Sequence, residues 1–588
     1  MNTSALIFFV VTVSLVILIS GYFFYRVLNS KATTRNKNTQ SWSRIGLVLA
    51  MAGNAVGFGN FLRFPVQAIQ NGGGTFIIPY LVCFLVMGIP LLFVEWSIGR
   101  YGGQYGNHST PFMLDNLDRR AVWKYIGVFG LFSNIGIAAY YCFMESWTLA
   151  YTLHSAIGTF HGMSENQVVQ FFNRYISISK STFFPYESIV FYVACLGLNI
   201  YILARGLKGI ERVAKIAMPM LIGFGIFLAI RAITMKAGTY GAENPGTAGL
   251  NFLWTPDYHS IWNPKVWLAA AGQIFFTLSV GMGSIQCYAS FVNSRDDIAL
   301  NSMSAGWMNE FVEVVLGAAI IIPISVGFLG VDKMKHLAEL GGLAIGFKVL
   351  PYLINQWGPV ISVLAGTMWF LLLFFAGITS SLAMGKPWTS FMQDEFKWSD
   401  KKAARSFGLI ILVLGLPTVF FFNYGVFDQY DYWTGTFSLF VFALAEIILF
   451  SWVFGVEKGW AEIKRGADIN IPIIYKYILK YVTPVLLIAV FIGALITPVN
   501  NDWGGAFHSL FTGHGWQLDN GCIIKQVVSA DIRQQIAMAV DPVVKAHLTK
   551  KLYLVAGTKF LLTGVFIGIA VLVYIAGRRR KRAATVRV

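Results

Sequence analysis

The chain has 588 residues, of which 56% are hydrophobic and only 12% charged. A soluble chain of this size carries about a quarter charged residues. Here long apolar runs alternate with short basic segments, which excludes one large soluble core and implies repeated membrane crossing. The formal charge of +17 does not call for nucleic acid as a partner. Its Lys and Arg gather in Arg26–Lys37, Arg205–Lys215, Lys397–Arg405, Lys458–Lys480 and Arg578–Arg582. If helices alternate in direction, these segments fall mostly on one side, which then reads as cytoplasmic.

Taken in chain order, Ala5–Tyr25 is the first apolar run. No basic residue precedes it, and Arg26, Lys31, Arg35 and Lys37 follow it. That order argues against a secretory signal, which starts positive, and for a retained helix (residues 1–30) with its N-terminus outside. A cytoplasmic segment, 31–43, comes next. Further spans are expected near 44–70, 76–100, 122–153, 187–206, 213–234, 264–292, 304–329, 359–392, 405–424, 432–455, 475–498 and 552–577. The total is thirteen: one appended helix and a core of twelve that starts and ends on the basic side, leaving 578–588 as a basic cytoplasmic tail. The long connections Ala156–Pro185, Lys236–Asn263, Val331–Gly358 and Val499–Lys551 all fall outside, and Ala338–Leu353 reads as a helical cap that dips inward. Four of the five cysteines (Cys83, Cys142, Cys195, Cys287) lie in apolar runs as small hydrophobes. Cys522 with His508 and His514 matches no zinc spacing.

Two spans depart from the pattern of a lipid-facing helix. One holds Gly53-Asn-Ala-Val-Gly-Phe-Gly-Asn60 and the other Thr277-Leu-Ser-Val-Gly-Met-Gly283. Glycine favours unwinding, and backbone groups freed at membrane depth persist only where protein or a wet cavity satisfies them. Either segment alone could be small-residue helix packing. As the first and sixth spans of the twelve, the two would correspond in a five-plus-five inverted repeat, and interrupted helices at matched positions point to a transport site.

The motifs are more specific than the pattern. The stretch Ala52-Gly-Asn-Ala-Val-Gly-Phe-Gly-Asn-Phe-Leu-Arg-Phe-Pro65 continues with Asn71-Gly-Gly-Gly74 and Glu95-Trp-Ser-Ile-Gly-Arg-Tyr-Gly-Gly103. Tyr140-Tyr141, Glu145-Ser-Trp147, Gln273, Asn309-Glu310, Thr379-Ser-Ser381 and Asp428-Gln-Tyr-Asp431 add further anchors. On these residues the chain resembles the neurotransmitter:sodium symporter family, nearest to its bacterial leucine-transporter type, from about Trp42 through the twelfth span. The resemblance implies an all-α polytopic fold with inverted repeats 44–235 (spans 1–5) and 264–456 (spans 6–10). Spans 11–12 then occupy 475–577, with an external loop at 499–551.

The resemblance also implies two sodium sites and no organic cofactor. The first would use the Ala55 carbonyl, Asn60, Thr277 and Asn309. The second would use carbonyls of Gly53, Val56 and Ala376 with the hydroxyls of Thr379 and Ser380. Sodium is a hard cation that takes oxygen ligands, and unwound carbonyls supply them without added charge. In amine-carrying relatives an Asp stands at the position of Gly57. A substrate with its own carboxylate would fill that gap, facing sodium, a half-helix N-terminus and the Tyr141 hydroxyl, so an α-amino acid is expected. Carried over position by position, the substrate site is Asn54, Ala55, Gly57, Gly59, Ile137, Tyr141, Phe276, Thr277, Ser279, Met282, Ser380 and Met384. It holds no charged side chain, which favours neutral hydrophobic or aromatic substrates.

Arg63 and Asp431 match the outer gate pair above Phe276, while Trp42 and Asp394 match inner-gate positions. The inner-gate arginine expected three residues before Trp42 is replaced by Thr39, with Arg35 or Lys37 as the candidates to reach instead. Glu313 stands where chloride-dependent relatives have a small polar residue, with chloride held among positions matching Tyr80, Gln273, Thr277 and Asn309. A fixed carboxylate would replace that anion, giving chloride-independent transport with room for proton counter-movement. Glu95 is expected to brace the unwound sixth span, and Glu145 and Glu446 to be structural. The weighed alternative is an amino-acid-sensing membrane protein of the same fold. A channel fits paired gates poorly, and no Ser-His-Asp, HExxH or phosphate-loop pattern supports an enzyme. Short loops and the lack of a paired-cysteine outer loop resemble prokaryotic plasma (inner) membrane members, and a homodimer is left open.

Overall fold

The computed structural model describes residues 1–29, 42–178 and 186–585. Lys31, Arg35, Lys37 and Thr39 lie outside the described residues. The described chain is helical throughout, with one isolated bridge between Pro498 and Leu518. In order the main helices are α1 (Thr3–Asn29), α2 (Arg44–Ala55), α3 (Gly59–Gln70), α4 (Gly74–Gln104), α5 (Ala121–Ala156), α6 (Glu187–Leu203) and α7 (Gly206–Ile233). There follow α8 (Pro264–Leu278), α9 (Ser284–Ala289), α10 (Ile298–Ala338), α11 (Pro359–Phe396), α12 (Asp400–Phe420), α13 (Val426–Val453), α14 (Ile474–Ile496) and α15 (Pro542–Ala583).

Ten of these are long and apolar enough to cross a membrane, and eleven if the pair α2–α3, bent by 45°, is one span. Two of the thirteen expected spans fall under that measure for a physical reason. The α6 helix has 17 residues, and α8 and α9 are too short singly because the chain unwinds between them. At the other extreme α15 overruns its expected 552–577. Lys545, Lys550, Lys551 and Arg578–Arg582 flank the apolar run, lower its hydropathy and are good helix formers.

Local signals set the helix starts. Ser43, Asn263 and Asp297 cap α2, α8 and α10, accepting backbone N–H groups of Gly46, Lys265 and Leu300. The centre is α5 against α11. The apolar window of α5 is 89% buried, against 11% for α1 and 22% for α15, so those two line the rim. The chain is therefore a multi-pass membrane protein. Gly342–Asn355 forms a helix whose Phe347 packs into an aromatic cluster with Trp147, Tyr151, Phe172 and Phe370.

Candidate functional site

Both glycine-rich segments break their helices. After Ala55 the chain turns extended at Val56 (φ −76°, ψ 102°) and re-enters through a π-helical turn, Gly59–Arg63. After Leu278, Ser279 is left-handed (φ 55°), as are Gly281 (φ 74°) and Gly283 (φ 84°). The freed groups are met by protein. Gly281 N–H donates to Glu95 Oε1 at 2.5 Å, and the Met282 carbonyl accepts from Asn134 Nδ2 at 2.6 Å. Glu95 thus braces the sixth span, as expected. Asn134 does the same, and nothing in its sequence setting marks it out from any other polar residue on a buried helix.

Between the breaks lies a cavity lined by Asn54, Ala55, Gly57, Phe58, Gly59, Asn60, Ile137, Tyr141, Phe276, Thr277, Ser279, Met282, Ser380, Met384 and Leu439. All twelve residues assigned to the substrate are among these. Phe58 and Leu439 were missed. Phe58 stacks on the Tyr141 ring (centroids 4.6 Å apart), a contact that only the turn at Val56 creates. Leu439 sits in an unremarkable apolar run. The Tyr141 hydroxyl accepts the Phe58 N–H at 3.3 Å, and a Cβ on Gly57 would lie 2.9 Å from that hydroxyl. Ser279 Oγ donates to the Asn54 carbonyl at 2.9 Å, tying one break to the other.

Two groups of oxygens adjoin the cavity. In the first, Asn60 Nδ2 points at Asn309 Oδ1 (2.8 Å), Glu313 Oε2 (3.1 Å) and Thr277 Oγ1 (3.2 Å). Glu313 also accepts from Gln273 Nε2 at 2.6 Å, from Asn309 Nδ2 at 3.3 Å and from the Thr277 hydroxyl, with the Tyr80 hydroxyl beside it. In the second, Ser380 Oγ lies 3.1 Å from the Ala376 carbonyl, 3.2 Å from that of Gly53 and 3.4 Å from that of Val56. Thr379 Oγ1 joins them, 3.2 Å from the Ala376 carbonyl.

The gate residues are placed less uniformly. The Arg63 guanidinium lies over the Phe276 ring at 4.3 Å. It makes no salt bridge to Asp431 within 4.0 Å, and Asp431 instead accepts the Tyr140 hydroxyl at 2.6 Å. On the other side Trp42 Nε1 donates to the Tyr288 carbonyl at 3.2 Å, whereas Asp394 accepts the His108 N–H at 2.8 Å. Glu145 accepts from Asn199 at 3.1 Å, and Glu446 accepts from Gln286, both fully buried.

Broken helices around an uncharged cavity flanked by oxygen clusters define a secondary transporter embedded in the membrane. The sequence pattern of the sodium:neurotransmitter symporter family matches residues 39–164 and 159–524, and the chain belongs to that family, one of sodium-coupled transporters and not of enzymes. A sodium-dependent transporter of Methanocaldococcus jannaschii is 30% identical over 478 residues, 79% of this chain and 92% of that protein. The sodium- and chloride-dependent GABA transporter 2 of Homo sapiens is 24% identical over 548 residues, covering 84% of this chain and 86% of its own. Among solved structures, MhsT in complex with L-phenylalanine superposes with a TM-score of 0.66 at 27% identity, over 77% of this chain and 99% of that one.

Proposed function

We propose that the chain carries a neutral amino acid, hydrophobic or aromatic, together with sodium by alternating access across the plasma membrane. Its N-terminus lies outside and its C-terminus in the cytoplasm. Residues 44–235 and 264–456 serve as the inverted repeats that rock against each other. The observation that carries the reading is a cavity with no charged side chain in its lining, set between two helix breaks and two oxygen clusters. The substrate carboxylate sits at Gly57 beneath the Tyr141 hydroxyl, and the side chain lies among Ile137, Phe276, Met282 and Met384. The phenylalanine bound by MhsT supports a substrate of this kind.

One sodium ion takes the place at which the Asn60 amide now points, meeting Thr277 and Asn309, the Ala55 carbonyl and, once its amide turns, Asn60. A second is held by the carbonyls of Gly53, Val56 and Ala376 with the hydroxyls of Thr379 and Ser380. Glu313 supplies beside the first ion the negative charge that chloride supplies elsewhere, and takes up a proton on the sodium-free return step. Arg63, Phe276 and Asp431 close the outer side, and Trp42 and Asp394 belong to the inner closure.

The test is uptake of a labelled amino-acid mixture into proteoliposomes, with an inward sodium gradient or with potassium in its place, and with chloride or gluconate. Sodium-dependent accumulation of a neutral amino acid, indifferent to chloride, is expected. Saturable binding without accumulation in folded protein overturns the reading.

A further inference from the structure

The cytoplasmic ends of α4 and α11 carry a polar layer below the cavity. His108, just past α4, donates its backbone N–H to Asp394 at 2.8 Å, and its ring stacks on Phe291 with centroids 4.1 Å apart and planes 5° apart. Segments following α4 and α9 are thereby held to the end of α11. Arg580, near the end of α15, reaches the same layer. Its Nε donates to Glu395 Oε2 at 2.8 Å, its Nη2 to the other oxygen of Glu395 and, at 2.7 Å, to Asn107 Oδ1. Glu395 and Asn107 are the sequence neighbours of Asp394 and His108, and the Glu395 side chain is only 2% exposed. A bidentate arginine pair with a buried carboxylate is among the stronger polar contacts available.

We propose that Arg580 is the gate cation of the inner closure, taking the role that the Thr39 position does not fill. It clamps Asn107 against Glu395, keeps the His108–Asp394 layer shut, and lets go when the transporter opens inward. This rests on the alternating-access reading above. An arginine at the end of α15 is well placed for the role, because that helix lies at the rim of the bundle.

Cys287 reports on the layer. It is fully buried on α9, 3.6 Å from Ser390 of α11 and four residues before Phe291. Two single-cysteine chains are made, one keeping Cys287 and the other the equally buried Cys142 of α5 as a folding control. Each is labelled from the cytoplasmic side with a charged methanethiosulfonate in sodium-loaded proteoliposomes. Arg580→Ala is expected to raise Cys287 labelling about tenfold, as for a minor open state gaining tenfold in population, with Cys142 unchanged. The exchange Arg580→Glu with Glu395→Arg is expected to restore protection. Cys287 labelling unaltered in Arg580→Ala, equal rises at both cysteines, or no restoration by the exchange overturns the proposal. The labelling does not depend on uptake. An unaltered parent chain that fails to accumulate amino acids counts against the function proposed above, while labelling indifferent to Arg580 counts against the gate.

Discussion

At single positions, function is tied to what is missing as much as to what is present. Gly57 leaves open the space in front of the Tyr141 hydroxyl, and a Cβ there would also lie 3.2 Å from Ser380 Oγ. Gly57→Asp puts a fixed carboxylate there, which would compete with the carboxylate of the proposed substrate. Amino-acid uptake is expected to fall more than about tenfold, a loss of roughly 1.4 kcal/mol or more in binding. Sodium-dependent thermal stability should be retained, and equal uptake by the Asp variant would remove the substrate carboxylate from this place. Glu313 is the converse case. Donors from Gln273, Asn60, Asn309 and Thr277 converge on it. Glu313→Ser removes the carboxylate and leaves those donors turned toward a gap, at about 1–3 kcal/mol for each one left unmet. A small anion can meet them, so uptake by Glu313→Ser is expected to require chloride, read by exchanging chloride for gluconate. Uptake by this variant that stays indifferent to chloride would detach Glu313 from the anion's role.

Elements show where the sequence was informative and where it was mute. The breaks after Ala55 and Leu278 were legible because glycines cluster inside apolar runs, and a long helix there would leave no reason for them. At Gly281, φ is 74° and an added Cβ would meet the Leu439 carbonyl, so both conformation and space demand glycine. The inner layer was not legible. His108, Asn107 and Glu395 are single polar residues at helix ends with no periodicity, and Arg580 stood inside a basic run that topology already accounted for. Their joint meaning appears only when α4, α11 and α15 are seen side by side. His108 gives that layer a pH dependence. Burial first, and the Lys386 ammonium second, push its imidazole from 6.5 down to about 4. The closed layer therefore holds fewer protons than an open one with an ordinary histidine across that window. Its stability is full above about 6.5 and falls as pH drops toward about 4. Asp394, Glu395, Lys386 and Arg580 also face this layer, so the comparison is with His108→Gln, which keeps them all. Labelling of Cys287 from the cytoplasmic side, relative to that variant, is expected to rise as pH falls through the window. A constant ratio would show that His108 takes no part in closure.

Across the whole molecule, hydropathy and charge placement revealed the class of fold, because a bilayer requires both. They did not reveal the place of α1, since a helix that faces lipid carries the same apolar residues whichever neighbour it joins. The structure docks α1 along α10, where Ser20 Oγ donates to the Trp307 carbonyl at 2.7 Å, two residues before Asn309. Phe8 and Phe9 meet Trp254 edge-on at 5.8 and 5.5 Å, and Arg26 donates to the Asp468 carbonyl at 2.9 Å. The middle of α1 thus rests on the helix that supplies Asn309 and Glu313, while its two ends are tied to Trp254 and Asp468 on neighbouring segments. In lipid no hydrophobic force drives such docking, so its energy is packing and hydrogen bonds, and acyl chains can replace the packing. Removing residues 1–29 is therefore expected to leave a chain that inserts and transports. Its α10 would then be freer near the π-helical turn Phe311–Gly317, and sodium should half-saturate uptake at a several-fold higher concentration, with Ser20→Ala shifting it in the same direction by less. A truncated chain with unchanged sodium dependence would reduce α1 to a lipid-facing appendage, and one that fails to assemble would make it part of the core.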